Sequence, residues 1–243
     1  WQERDLLRRA DAVTVASRTL ETQVWGFGVA PERVFYLPNG VSSSELRTSA
    51  TQNPELKTHN LLLYTRFWEL DVRDVVAALV AIVAQCSSVR LLVVGRGERG
   101  EEDELLRLAR RAGVTAAIDY RGWVEPARIP ALLAAADVAL APMDDTLINR
   151  ARGLAKLLEL MAAGLPIVAG HVGQAAEYIQ DGRSGLLVPP GDPGALARAA
   201  LALLANGPLR ARLGRAARER VARHYTWEHL APRAEAAYDY ARR

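Results

Sequence analysis

A chain of 243 residues holds one large domain, or one ordinary domain with a piece of another. Half of the residues are hydrophobic and 24% are charged, which fits a sizeable core, and no apolar run reaches the ~18 residues that a membrane-crossing helix requires. The formal net charge of +3 suits phosphate-bearing ligands or an anionic surface and falls far short of a nucleic-acid-binding profile.

The single cysteine, Cys86, excludes an internal disulfide and a thiolate metal site, and it reads as a small buried hydrophobe at the end of an apolar helix. His59, His171, His224 and His229 lack metal-ligand spacing, so neither a metal nor another cofactor is expected. No signal peptide is recognisable, which favours the cytoplasm, and Trp1 in place of Met makes the chain read as a fragment.

Along the chain, basic residues 3–9 (Arg4, Arg8, Arg9) precede a β-prone run at Ala12–Val15, and Ser17 is placed to cap a helix that ends around Gly26–Gly28. Val34 to Leu37 give a second short strand before Pro38-Asn39-Gly40. Residues 42–59, rich in Ser, Thr and Asn without a period, predict a linker.

Past it the pattern is regular. Short apolar runs at 60–65, 90–95, 117–121, 137–142, 165–169 and 185–188 predict strands buried on both faces. They alternate with helical segments near 72–86, 101–112, 126–135, 153–163, 174–180 and 193–205, with further helices over 208–242. Such alternation specifies an α/β fold, a Rossmann-like, doubly wound parallel sheet. Ligands of such sheets bind outside the carboxyl ends of the strands. Arg66, leaving the first of these strands, suits a diphosphate. Gly95-x-Gly97, between a strand and a helix, would let backbone amides approach a phosphate, although an ordinary tight turn explains it equally well.

The segment from Arg152 to Gly164 is more informative. Leu154, Leu157, Leu158 and Met161 form one apolar stripe, and Arg152, Lys156 and Glu159 fall on the opposite side. One helix then presents two cations and a carboxylate in a line that starts at its positive dipole end, suited to phosphates and ribose hydroxyls; the alternative is a solvated face of paired charges.

The run Lys156-Leu-Leu-Glu159-Leu-Met-Ala-Ala-Gly164-Leu-Pro166-Ile-Val-Ala169, followed by Gly173, Glu177 and Asp181-Gly182-x-x-Gly185-Leu-Leu-Val-Pro189-Pro190-Gly-Asp192, resembles the donor domain of the family-four retaining glycosyltransferases. Ala10 to Ser17, Pro31 to Gly40, and Tyr225-Thr226-Trp227-Glu228 extend the resemblance over nearly the whole chain. That family has the GT-B fold, two Rossmann-like domains around a cleft. The resemblance therefore implies a remnant of the N-terminal acceptor domain at 1–41, a linker at 42–59, the nucleotide-sugar donor-binding domain at 60–225 and a crossover helix at 226–243.

The same resemblance implies roles. Glu159 matches the carboxylate that holds the donor ribose, and Arg66 the arginine that clamps the diphosphate, with Lys156 beside it. Gly122, Trp123 and Val124 fall where backbone groups meet the nucleobase. Gly173 and Glu177 fall on the donor side of their turn. Two positions depart from the family pattern. Ala151 stands where a second glutamate is frequent, so Asp144, Asp145, Asn149 and Arg150 are candidates for sugar recognition. Asp71 replaces a lysine, which leaves Arg73 as a weaker third cation.

The partners implied are a nucleotide-diphosphate sugar, a sugar, lipid or polysaccharide acceptor, and the absent N-terminal domain. A chain of this kind should bind donor and turn over poorly alone. Rival readings are a non-catalytic nucleotide-sugar or partner-binding domain and a nucleotide-sugar epimerase. A nicotinamide-dependent dehydrogenase is disfavoured by the missing third glycine. Arg198, Arg210, Arg212, Arg215, Arg218 and Arg220 read as a solvated face, with peripheral docking at the inner face of a membrane as the alternative.

Overall fold

The computed structural model describes residues 2–47 and 59–243. It begins with α1 (Gln2–Arg9), β1 (Val13–Val15), α2 (Arg18–Gly26) and β2 (Val34–Tyr36), in which β1 and β2 pair in parallel. Ser17 caps α2 as expected, its hydroxyl accepting from the backbone N–H of Leu20. Of the expected linker, Ser43–Arg47 is a short helix, α3, and His59 already belongs to the next strand; residues 48–58 lie outside the described residues.

The body follows as β3 (His59–Tyr64), α4 (Val72–Val83), β4 (Val89–Val94), α5 (Glu101–Arg111), β5 (Ile118–Gly122), α6 (Ile129–Ala134), β6 (Val138–Ala141), α7 (Leu147–Ala151), α8 (Ala155–Ala162), β7 (Ile167–Gly170), α9 (Gln174–Tyr178) and β8 (Leu186–Val188). Three helices close the chain, α10 (Pro193–Ala205), α11 (Gly207–His224) and α12 (Trp227–Ala241). The six body strands form one all-parallel sheet in the order β5-β4-β3-β6-β7-β8. Continuous apolar strands such as Leu61-Leu62-Leu63 are buried because helices cover both faces. Leu61 and Leu63 pack with α4 and α10 in one core, and Leu62 packs with α8 in the other.

The strand order reverses between β3 and β6. There, adjacent crossovers leave toward opposite faces and open a crevice beyond the carboxyl ends, so topology alone locates the first place to look for a ligand. The two parts meet again at the C terminus. The Val41 N–H donates to the Tyr225 carbonyl at 2.9 Å, the Trp227 N–H donates back to Val41 at 3.1 Å, and α12 lays Tyr240 against Phe35 of β2.

Two surface expectations change. Arg210 donates to the Leu203 and Leu204 carbonyls at the end of α10, Arg212 to Gly182, Arg218 to Leu46, and Arg220 to Tyr178 and Glu177. These guanidiniums satisfy carbonyls that helix and loop ends leave open, so they are structural ties rather than a plain solvated face. Cys86 is half-buried beyond the end of α4, with Sγ 3.3 Å from His59 Nδ1, rather than sealed in an apolar core. Among the described residues no helix is long and apolar enough to cross a membrane.

Candidate functional site

A cleft of about 610 Å³ opens at the reversal point, lined by Tyr64, Thr65 and Arg66 at the end of β3, Val94 to Arg96 at the end of β4, Trp123 and Val124 after β5, and Lys156 and Glu159 on α8. A second hollow of about 370 Å³ shares Tyr64, Thr65, Arg66, Trp68 and Lys156 with it and continues to Glu69, Arg152 and the first residues of α8.

The turn after β3 has an unusual backbone. Phe67 adopts φ 71°, a left-handed conformation rare for a side chain of its size, and its ring is buried while Trp68 is 47% exposed. The Thr65 hydroxyl accepts the Phe67 N–H at 2.7 Å and donates to Glu69 Oε1 at 2.8 Å, and the Arg66 N–H donates to the same oxygen at 3.1 Å. These bonds hold the turn against its strain and leave the Arg66 side chain in the cleft.

On α8, Lys156 is half-buried with Nζ 4.4 Å from the centroid of the Tyr64 ring. Burial holds its pKa below the ordinary lysine value, with the Glu69 and Glu159 charges opposing and the Arg66 charge assisting that shift. The Tyr64 pKa is pushed up to about 12, first by burial and then by the charge of Glu159. Glu159 and Lys156 thus face one cleft from one helix, as the sequence predicts. Arg152 does not share that helix. With φ −66° and ψ 140° it sits in the loop before α8, three residues short of the first helical turn. Its guanidinium reaches the cleft region by stacking on Trp68, 5.2 Å from the ring centroid, and Arg66 lies 5.8 Å from the same ring. No side chain caps the first turn of α8; the Leu154 N–H donates to Gln174 Oε1 at 2.8 Å.

Several expected site residues lie outside the linings of these two spaces. Arg73 is exposed and paired at 2.8 Å with Asp71, the cap of α4, away from the cleft lining. Asn149 is buried, and its amide donates to the Glu69 and Asp144 carbonyls at 2.9 Å each, so it fastens the loop after β6 to the turn after β3. Arg150 is exposed and paired with Asp145, and Asp144 accepts the Asp71 N–H at 3.2 Å; burial raises the Asp144 pKa. Glu177 accepts from the Tyr36 hydroxyl at 2.7 Å and from the Arg18 N–H at 3.1 Å, which makes it a tie to the N-terminal unit.

The glycines serve the backbone. A Cβ on Gly95 would lie 1.7 Å from the Thr65 carbonyl, so this glycine permits strand ends to pass closely, although it does line the cleft. The Gly97 N–H is taken by Glu102 at 3.0 Å. Gly122 ends β5 with its carbonyl bonded to the Gly95 N–H and leaves the lining to Trp123 and Val124. Gly173, at φ 47°, would press a Cβ to 2.6 Å from the Arg150 carbonyl, a contact within the body. Arg96, just after β4, lines the cleft as the strand-end rule expects, whereas Tyr64, Trp68, Glu69 and Pro126 were not singled out. The strand-end rule could have found Tyr64, since it immediately precedes Thr65-Arg66, whereas the others depend on how the turns fold.

The cleft offers an apolar and aromatic wall at Trp123, Val124 and Pro126, a carboxylate at Glu159, and cations at Lys156 and Arg66. That series complements a flat ring, a diol and a polyanion.

Known proteins give an independent reading. Residues 58–206 match the family Glycosyl transferases group 1. The chain is 33% identical over 206 residues to the phosphatidyl-myo-inositol mannosyltransferase of Mycobacterium leprae, covering 84% of this chain and 52% of that protein. Among solved structures, a sucrose-phosphate synthase from Thermosynechococcus elongatus superimposes with a TM-score of 0.78 at 28% identity, covering 98% of this chain and 60% of that one. Anabaena HepE, solved in complex with UDP and glucose, superimposes with a TM-score of 0.76 at 22% identity over 97% of this chain and 65% of its own. The solved relatives are GT-B glycosyltransferases, and the chain spans about half the length of the curated relatives it matches.

Proposed function

The chain belongs to the group 1 glycosyltransferases, and from that premise we propose that its cleft is the donor site for transfer of a sugar from a nucleoside diphosphate to an acceptor with retained anomeric configuration. The observation that carries the reading is the convergence of Arg66, Lys156, Glu159 and the Trp123–Val124 backbone on one cleft at the reversal point of the sheet. Glu159 accepts hydrogen bonds from the ribose hydroxyls. Arg66 and Lys156 neutralise the diphosphate as it departs with the bonding electrons, and the uncapped first turn of α8 adds backbone dipoles of the same sign.

The protein needs no covalent step for this; it must hold donor and acceptor in line and meet developing charge. The acceptor is a sugar, lipid or polysaccharide, bound between this unit and an N-terminal domain. UDP, bound by HepE, is one candidate nucleotide and GDP another.

The Ala151 position favours a second reading, a nucleotide-sugar-binding domain without transfer. Joined to the N-terminal domain of a relative, the chain should transfer sugar from a nucleotide donor, and proton NMR of the first-formed product should show the donor's anomeric configuration. An inverted product would refute retention. Nucleotide binding without transfer would favour the binding domain, and epimerisation of free nucleotide sugar would favour an epimerase.

A further inference from the structure

Glu69 carries no expected role, yet its carboxylate is held by several bonds. Oε1 accepts from the Thr65 hydroxyl and the Arg66 N–H. The Glu69 carbonyl accepts from the Asp144 N–H and the Asn149 amide, so backbone and side chain are fixed from two loops. Among the described residues, Oε2 is buried without a hydrogen-bond partner, and Arg152 Nη1 stands 3.6 Å from it. Arg152 has no helical backbone to orient it, so its direction comes from this ion pair and from the Trp68 ring beneath it. Arg66 lies over the same ring. Two guanidiniums crowded on one indole repel each other, and two things can offset that: the buried Glu69 carboxylate on one side and an anion on the other.

Resting on the donor-site reading above, we propose that Glu69 is a positioning residue which, with Trp68 as shelf, holds Arg152 beside Arg66 as a two-armed grip on the distal phosphate of a nucleoside diphosphate. The distal phosphate is chosen by order along the cleft. Trp123 and Glu159 line only the larger space, Arg66 and Lys156 line both, and Arg152 lines only the hollow beyond them. A nucleoside whose ring lies at Trp123 and whose ribose lies at Glu159 extends its second phosphate toward Arg152. A monophosphate stops short of it.

Glu69→Gln tests this because the amide oxygen can still accept from Thr65 and Arg66, preserving the turn, while its NH2 faces Arg152 and releases it. Calorimetry of the chain with UDP, GDP and ADP identifies the nucleotide that binds, and its monophosphate is the control. Glu69→Gln and Arg152→Ala should each weaken the diphosphate by roughly tenfold and the monophosphate by less than about twofold. The double variant should be no weaker than Arg152→Ala within about twofold, because Glu69 acts through Arg152.

Equal loss for mono- and diphosphate, unchanged diphosphate affinity, or additive losses in the double variant would each overturn the proposal. Should Glu69→Gln fail to fold, Arg152→Ala decides: a loss confined to the diphosphate supports the grip, and no loss removes it. Binding of none of the three nucleotides by the unaltered chain would instead overturn the donor-site reading itself.

Discussion

In the six-stranded body, Leu61, Leu91, Leu158 and Ile167 have no exposed surface, and two cores fill the space on either side of the sheet. The N-terminal unit buries far less: Val13, Val15, Val24, Val29 and Val34 make its small core. Where the N-terminal unit meets α7, α9 and the start of α8, polar groups carry much of the contact. The Ser17 hydroxyl donates to the Ala151 carbonyl at 2.8 Å, Gln174 bridges the Ala16 carbonyl and the Leu154 N–H, and Tyr36 and Arg18 donate to Glu177. Burial makes the body cooperative and stiff. A joint of individually modest hydrogen bonds can open without unfolding either side. The joint also touches function, since Ala151 and Leu154 flank Arg152 in the loop that leads into the helix carrying Lys156 and Glu159.

The contrast makes graded predictions. Leu158→Ala, in the core beneath α8, should cost about 2–5 kcal/mol of body stability, read from the denaturation midpoint, and should take nucleotide binding with it. A cost under ~1 kcal/mol would mean that the body is less tightly packed than described. Gln174→Ala leaves the Leu154 N–H and the Ala16 carbonyl without their partner and should cost roughly 1–3 kcal/mol, with hydrogen exchange rising first in residues 13–41 and in the 151–154 loop. Uniform exchange across the whole chain would argue against a separable joint. Tyr36→Phe removes one hydrogen bond to Glu177, which keeps the Arg18 N–H, so about 1 kcal/mol is expected, confined to the N-terminal unit and leaving the midpoint of the body unmoved.

The same contrast explains what the sequence discloses. The body strands are legible because burial on both faces writes a continuous apolar run, and α8 because its apolar stripe repeats at helical spacing. Arg66, Lys156 and Glu159 follow from those elements, since a strand end or a helix face gives a side chain its address. Arg152 was misplaced because the periodic pattern extends three residues beyond the true start of α8, a boundary decided by the Gln174 bond to Leu154 rather than by any local capping residue. Glu177 reads as a donor-side group through the family resemblance, and Asn149 through its place in the loop after a strand. Their partners are Tyr36, 141 positions away, and Glu69, 80 positions away, and no spacing rule anticipates such pairs. Glu69 and Trp68 stayed silent because their roles depend on the left-handed turn at Phe67, a residue type that rarely adopts one.

The central claim, that the cleft beside α8 takes a nucleoside diphosphate, is tested most directly by calorimetric titration of this chain with UDP, GDP and ADP, with Glu159→Ala as the matched control. Binding to this open cleft should be weak, near ~1 mM, or about −4 kcal/mol. Saturable binding of one nucleotide is expected, lost in the Glu159 variant while its melting temperature is kept. Binding that survives Glu159→Ala unchanged, or no binding of any of the three to the folded chain, would contradict it.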